Sequence, residues 1–255
     1  MVEIKTDGEV RAMRAAGAVV AAALDAARSV AAIGVSLREL DEAAASVIRS
    51  AGATPAFLGY HPNWAPSPFS GVVCSSINDA VVHGIPTEYR LGDGDLVSLD
   101  CGAFLDGWCG DAAVSFVVGD ADPEDLRLIA DTEAALARGI EAATVGNRIG
   151  DIADAIGTFA RSRGWGLLAD HGGHGIGRAM HEDPDVPNEG RPNRGLKLRP
   201  GLVLAIEPML IRGGTDDYRH DPDGWTLRTL DGSRAAHSEH TVAITEKGPE
   251  ILTAA

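Results

Sequence analysis

A chain of 255 residues, 45% of them hydrophobic, carries enough apolar matter for one large core or two small ones. Its formal charge of −15, with no basic stripe to offset it, argues against nucleic-acid binding. No stretch approaches the roughly 18 consecutive apolar residues of a membrane span. Cys74, Cys101 and Cys109 form no CxxC pair, and the first residues lack the basic-then-apolar pattern of an export signal. The sequence therefore predicts a cytoplasmic protein without a disulfide framework.

Thr6 and Glu9 read as a capping box opening a helix that runs to about Gly34. Ser36 and Glu39 repeat the signal, and Leu37, Leu40, Ala44, Val47 and Ile48 then form an apolar stripe that stops before Gly52. Residues 54–71 hold Pro55, Pro62, Pro66 and Pro68 and read as a loop. Residues 71–75 and 80–84 look like short strands. Residues 96–104 and 108–118 form a predicted hairpin around Leu105-Asp106-Gly107. Asp122-Pro123-Glu124-Asp125 opens a third helix, and residues 149–162 a fourth. Residues 201–209 and 241–245 read as further strands.

A faint repeat joins the two halves. Gly34, Leu37, Leu40, Arg49, Ser50 and Gly52 recur 112 positions later as Gly146, Ile149, Ile152, Arg161, Ser162 and Gly164. Residues 94–100 resemble residues 201–207 at an offset of 107. The same order of elements in both halves favours duplication over chance. If the halves face each other, Asp100 and Glu207 should meet near a pseudo-twofold axis.

Four acids sit on apolar strands. Asp100 and Asp111 lie on the two arms of the hairpin, with no Arg or Lys between positions 91 and 126 to pair with them. Glu207 ends an apolar strand before Pro208, and Glu239 enters another. Each alone could be an ordinary solvated strand residue. His174 lies among four glycines, which let the backbone pass close to something, and His181 follows within seven residues. His171 is read as an ordinary packed histidine. Oxygen-rich donors with one imidazole suit divalent ions of the Mn, Fe, Co or Zn kind. Without an ion, clustered carboxylates would repel one another and some would protonate.

Five ordered blocks now make the chain recognisable: residues 76–86 (SINDAVVHGIP); residues 94–111, with the two aspartates eleven positions apart; residues 173–184 (GHGIGRAMHEDP); residues 205–209 (AIEPM); and residues 238–241 (SEHT). Together they resemble the type I methionine aminopeptidases over nearly the whole chain. The resemblance implies an α+β pita-bread fold, two pseudo-symmetric halves with a curved antiparallel sheet and outer helices, in one catalytic domain over residues 1–255. It implies two divalent metal ions per chain (Co, Mn, Fe or Zn), held by Asp100, Asp111, His174, Glu207 and Glu239. Asp111 and Glu239 would bridge the ions, His174 and Glu207 would complete one, and Asp100 the other. The implied reaction removes the initiator methionine of nascent polypeptides when the second residue is small, by attack of a metal-bridging hydroxide. Glu207 would shuttle the proton, His181 would hydrogen-bond the scissile carbonyl or its oxyanion, and His83 would position the substrate backbone. The partners are nascent N-termini, met at the ribosome. A monomer is expected, with no nucleic-acid or membrane partner.

Two departures stand out. An insertion of about six residues follows Gly59-Tyr60-His61, so Tyr60, Phe69 and Cys74 enter as pocket walls next to Trp225 and to Met180, where the family often has an aromatic. His237 replaces a common glutamine two residues before Glu239 and bears on the surroundings of the ligands. The nearest rival is a proline-specific peptidase on the same fold, which generally carries an additional N-terminal domain. A rival of another class is a catalytically dead binding module, which typically loses metal ligands; all five are present here.

Overall fold

Two capping boxes start the first two helices in the computed structural model, which describes residues 2–254. The Glu9 carboxylate accepts the Thr6 N–H at 2.8 Å while the Thr6 hydroxyl accepts the Glu9 N–H, opening α1, Asp7–Val30. Ser36 and Glu39 do the same for α2, Leu37–Ser50. The first helix stops short of Gly34 because the chain is already extended at Ala31; Gly34, at φ 88°, turns it into α2.

The expected loop contains only β1, Thr54–Pro55. Strands β2, Val73–Ile77, and β3, Ala80–Val82, come next. Strands β4, Asp95–Leu105, and β5, Trp108–Val118, pair along their whole length. Their turn has positive φ at both Asp106 (51°) and Gly107 (77°), the conformation whose twist matches the strands it joins. Helices α3, Pro123–Ala142, and α4, Ile149–Ser162, follow. The remaining elements are β6, Gly166–Leu167; β7, Gly172–Gly175; β8, Glu182–Pro187; β9, Val203–Ile206; β10, Met209–Ile211; β11, Tyr218–His220; β12, Leu227–Thr229; β13, Ala235–His237; β14, Glu239–Thr245; and β15, Gly248–Ile251. The single strand expected over residues 201–209 is thus two. Pro208 has no N–H to continue a ladder, so β9 stays in the large sheet and β10 enters a small one.

The large sheet is antiparallel, in the order β1-β4-β5-β14-β9-β7-β8, with β2 also on β4 and β15 also on β14. Two three-stranded sheets, β13-β10-β6 and β11-β12-β3, complete the α+β architecture. Alternation along the strands separates two faces. Leu99 and Cys101 pack with Val20, Leu24, Leu40 and Ile48 of α1 and α2. Leu204, Ile206 and Val242 pack with Leu128 of α3 and Ile152 and Ile156 of α4. The residues between them on each strand face away from the helices. α1 lies so close to β5 that a Cβ on Gly110 would sit 2.9 Å from the Gly17 Cα.

The repeat is visible in the coordinates. α4 begins and ends 112 positions after α2. Gly146, at φ 98°, matches Gly34, and the bridge from Arg148 to Lys197 matches that from Ser36 to Arg90. The two halves meet where β5 pairs with β14. The acids flanking that seam are Asp111 and Glu239; Asp100 and Glu207 stand one strand further out on either side.

Candidate active site

Register alone places five donors on one face. Residues opposite each other in an antiparallel pair share a face, as do residues two apart. Asp100 lies opposite Ala113, which is also opposite Glu239. Asp111 is two residues from Ala113. Thr241, two from Glu239, lies opposite Ala205, which is opposite His174 and two from Glu207. Four of the donors therefore lie on β4, β5, β14 and β7, and Glu207 directly follows β9, which stands between the last two, all on the side away from the helices.

Local contacts hold three of them, Asp111, Glu207 and His174, in place. Thr241 staples the seam: its hydroxyl accepts the Asp111 N–H at 2.9 Å and donates to the Asp111 carbonyl at 2.8 Å. Asn188 donates to the Glu207 carbonyl at 3.0 Å beside the proline break. The glycines around His174 are required by backbone approach, since a Cβ on Gly173 would come within 2.1 Å of the Ala205 carbonyl oxygen and one on Gly175 within 2.1 Å of the Asp183 oxygen. Lys5, almost fully buried, pairs with Glu182 at 2.7 Å and so holds the turn that carries His181.

The donors converge. Asp111, His174 and Glu239 bring one ligand atom each within 4.8 Å of one another, and so do Glu207, His237 and Glu239. Asp100 joins neither trio, but its side chain lies against that of Asp111. Oδ1 of Asp100, Oδ1 of Asp111 and Oε1 of Glu239 are buried with no hydrogen-bond partner. Burial first, then the Glu207 charge, pushes the Asp100 carboxyl up to about 7, against a lowering pull from His237. Burial first, then the charges of neighbouring acids, also pushes Asp111 and Glu239 well up. Glu207 is the exception. Burial would raise it, but the neighbouring imidazoles of His237, His174 and His181 outweigh that and hold it below the usual carboxylate range. Its Oε1 lies 3.6 Å from His174 Nε2 and its Oε2 3.3 Å from His237 Nε2.

Elsewhere this chain supplies a buried acid with cations. Asp125, fully buried in α3, pairs with Arg212 at 3.0 Å and with Arg234. Among the described residues, no Lys or Arg pairs with Asp100, Asp111, Glu207 or Glu239. Acids without cationic lysine or arginine partners, next to imidazoles, are the donor set of a hard or borderline divalent cation.

A cavity of about 350 Å³ opens over the acids. Every residue expected at the site lines it: His83, Asp100, Asp111, His174, His181, Glu207 and Glu239, with Tyr60, Phe69, Cys74, Met180 and Trp225. Cys74 stands directly across from Asp100 on β2. Trp225 packs edge-on to Phe69, and its N–H donates to the Ser67 carbonyl at 3.0 Å. His181 keeps an exposed edge but lies against the His174 ring at 4.1 Å and beneath Tyr60 at 5.8 Å. Burial first, then the charges of neighbouring histidines, depresses His83 and His181 to about 4, so both are neutral near pH 7. His83 also holds a left-handed backbone, φ 59°, a strained conformation for a residue with a Cβ.

Sequence reasoning passed over Phe57 and the wall role of His171, and took in Trp64 only as part of the segment between Tyr60 and Cys74; all three are on the cavity lining. His171 accepts or donates at the Ala169 carbonyl, 2.8 Å away, and joins neither donor trio. The placement of His237 between Glu207 and Glu239 was signalled only by its departure from glutamine.

This fold, with its face of acids, defines a metallopeptidase: the pattern of metallopeptidase family M24 matches residues 11–246, and the chain belongs to that family. Divalent metal ions are the cofactors that family uses. Within it, the chain is 56% identical to methionine aminopeptidase 1 of Mycobacterium tuberculosis (strain CDC 1551 / Oshkosh), over 98% of this chain and 94% of that one. It is 41% identical to methionine aminopeptidase 1 of Bacillus subtilis (strain 168), over 99% of both. The crystal structure of methionine aminopeptidase from Thermotoga maritima superposes with a TM-score of 0.95 at 40% identity, covering both chains fully. The prolidase from Pyrococcus furiosus shares the fold alone, with a TM-score of 0.78 at 23% identity over 99% of this chain and 65% of that one.

Proposed function

We propose that this protein is a cytoplasmic metalloaminopeptidase that removes the N-terminal methionine from nascent polypeptides whose second residue is small, as a monomer with one catalytic domain over residues 1–255. The observation that carries the reading is the group of buried, unpartnered carboxylate oxygens beneath an aromatic-walled cavity. Those residues fit two divalent ions: Asp111 and Glu239 would be shared, His174 and Glu207 would complete one, and Asp100 the other. Bound ions would polarise the scissile carbonyl and make a nucleophile of water near neutral pH.

The chain's own groups do the rest. Phe57, Phe69, Cys74, Met180 and Trp225 surround an unbranched thioether with apolar and aromatic contacts. The negative floor receives the free amine. His83, neutral and half-buried, offers an N–H to the substrate backbone beside the scissile bond. A bulky second side chain would crowd His83 and displace the carbonyl, and a shift of about 1 Å can cost ~10²-fold. The Tyr60 hydroxyl lies 3.5 Å from His181 Nδ1. A hydroxyl donating there leaves the proton on Nε2, free to donate to the developing oxyanion. Glu207, kept ionised, takes the proton from the attacking water and returns it to the leaving amine.

The test is a comparison of Met-Ala-Ser, Met-Lys-Ser, acetyl-Met-Ala-Ser and Ala-Pro-Ser with metal-reconstituted protein. Rapid release of methionine from the first alone is expected. Preference for Ala-Pro-Ser would assign the protein to the proline-specific branch, and no cleavage with any divalent metal would leave a binding module.

A further inference from the structure

Trp108, Trp165 and Trp225 are buried, as aromatic side chains of this size usually are. Trp64 is 58% exposed yet lines the cavity. It sits in the proline-rich insertion, and that segment is built firmly onto the site. The Phe69 N–H donates to the Tyr60 carbonyl at 2.9 Å and the Gly59 N–H to the Phe69 carbonyl at 2.8 Å, closing the base of the loop. The Ala65 N–H donates to the Pro62 carbonyl at 3.0 Å, and His61 Nε2 lies 3.1 Å from the Ala65 carbonyl. Pro66 packs so tightly on Gly224 that a Cβ there would come within 2.3 Å of its ring. This framework holds the Trp64 indole 5.0 Å, centroid to centroid, from Trp225 and 6.4 Å from His83, leaving most of it open at the mouth.

We propose that Trp64 forms a subsite for an apolar side chain on the third residue of the substrate. The inference rests on the aminopeptidase reading. A peptide enters by its amino end, so its first side chain takes the enclosed compartment under Trp225 and everything after it leaves past the mouth. In an extended chain, side chains alternate, so residues one and three point the same way, about 6.7 Å apart. With residue one against Trp225, residue three reaches the neighbouring aromatic surface on the outward side. Trp64 is that neighbour. Residue two points the other way, and its size limit remains a matter for His83. The subsite is apolar and aromatic and selects Phe or Leu over Ser.

The test uses the metal-loaded protein, Trp64→Ala and Trp64→Phe, with Met-Ala-Phe and Met-Ala-Ser as substrates. The unsubstituted protein should prefer Met-Ala-Phe by about three- to tenfold in kcat/KM, the range of one aromatic contact, expressed in KM. Trp64→Ala should bring the ratio close to one, and Trp64→Phe should keep part of it. The same peptides are also titrated by calorimetry with turnover stopped by chelator, where the affinity ratio should follow the same pattern. An equal ratio for the unsubstituted protein and Trp64→Ala in both measurements overturns the subsite. Binding preference without release of methionine from either peptide would instead overturn the aminopeptidase reading.

Discussion

Helix α2 begins at Ser36, whose hydroxyl accepts the Glu39 N–H; its counterpart α4 begins at Arg148, whose side chain has no acceptor and reaches the Gly195 carbonyl at 2.9 Å instead. The turn glycines, the lengths of α2 and α4 and the bridging contacts of the two halves nevertheless coincide. Their chemistry does not. The first half brings its acids, Asp100 and Asp111, on one tight hairpin and adds a single cavity histidine, His83. The second half brings Glu207 from the break after β9 and Glu239 from β14, together with His171, His174, His181 and His237. Duplication thus accounts for the scaffold and for acids on both sides of the seam. Imidazole donors, and with them proton handling, are concentrated on one side.

The comparison is sharpened most by substitution across the seam. Asp111→Ala and Glu239→Ala should each reduce kcat/KM by roughly 10³-fold or more, since each would remove several kcal/mol of charge stabilisation. Both should also lower the metal content of the purified protein. A large loss for one and near-normal turnover for the other would break the equivalence of the two acids. Asp125→Ala provides the contrast. It should cost roughly 3 kcal/mol of stability in denaturant titration by stranding Arg212 and Arg234, with turnover per folded molecule preserved.

The histidines of the second half should separate into two roles. His174→Ala is expected to weaken metal binding, measured by calorimetric titration, as well as rate. His181→Ala should lower kcat by roughly 10²–10³-fold with metal affinity unchanged, as one oxyanion donor does. The reverse pattern would exchange the assignments.

The smallest effect distinguishes the caps. Ser36→Ala should cost about 1 kcal/mol in chemical denaturation. Arg148→Ala should cost less, because the α4 cap rests on the Arg148 backbone N–H donating to Asp151 at 2.7 Å, which that substitution leaves intact. Equal costs would mean that the Ser36 hydroxyl contributes nothing as a cap.

What could be read in the sequence was local or spaced by regular repeat. The capping pairs Thr6/Glu9 and Ser36/Glu39, the Asp106-Gly107 turn and the Asp122-Pro123 start each carry their own geometry, and each forms. The recurrence at 112 positions identified α2 and α4 as equivalents. Illegible were features whose cause lies on another strand. The glycine-rich segment 172–175 is a strand because β8 and β9 press on it from both sides, which its composition does not announce. The three-residue strands β10 to β13 are too short to show a period. The seam fell between Asp111 and Glu239, not between Asp100 and Glu207, because β5 and β14, not β4 and β9, are the strands that pair across it. Trp64 gave no pattern at all; its place depends on Trp225, far along the chain.

Thermal melting of chelator-treated protein between pH 6.5 and 8.5, with and without added Mn²⁺ or Co²⁺, tests the central claim most directly. Below this window the depressed His83 and His181 add stability as pH rises, because the unfolded chain holds more protons on those groups. That gain is nearly complete at the start of the window, with roughly 0.4 kcal/mol per histidine still to come above pH 6.5 as the unfolded imidazoles lose their last protons. The raised acids then dominate: Asp100, titrating at about 7, and Asp111 and Glu239 keep protons in the folded state that the unfolded state has lost. Their contribution is complete below the unfolded carboxylate range and is lost as pH rises through the folded values. For Asp100 the whole contribution is on the order of 4 kcal/mol, at about 1.4 kcal/mol for each tenfold change in proton affinity, and roughly 1 kcal/mol of it is lost within the window. The melting temperature of the metal-free protein should therefore fall by several degrees as pH rises from 6.5 to 8.5, and the added ion should restore it, most strongly at the alkaline end. A melting temperature flat across the window and indifferent to the ion would contradict a buried acid cluster that exists to hold divalent metal.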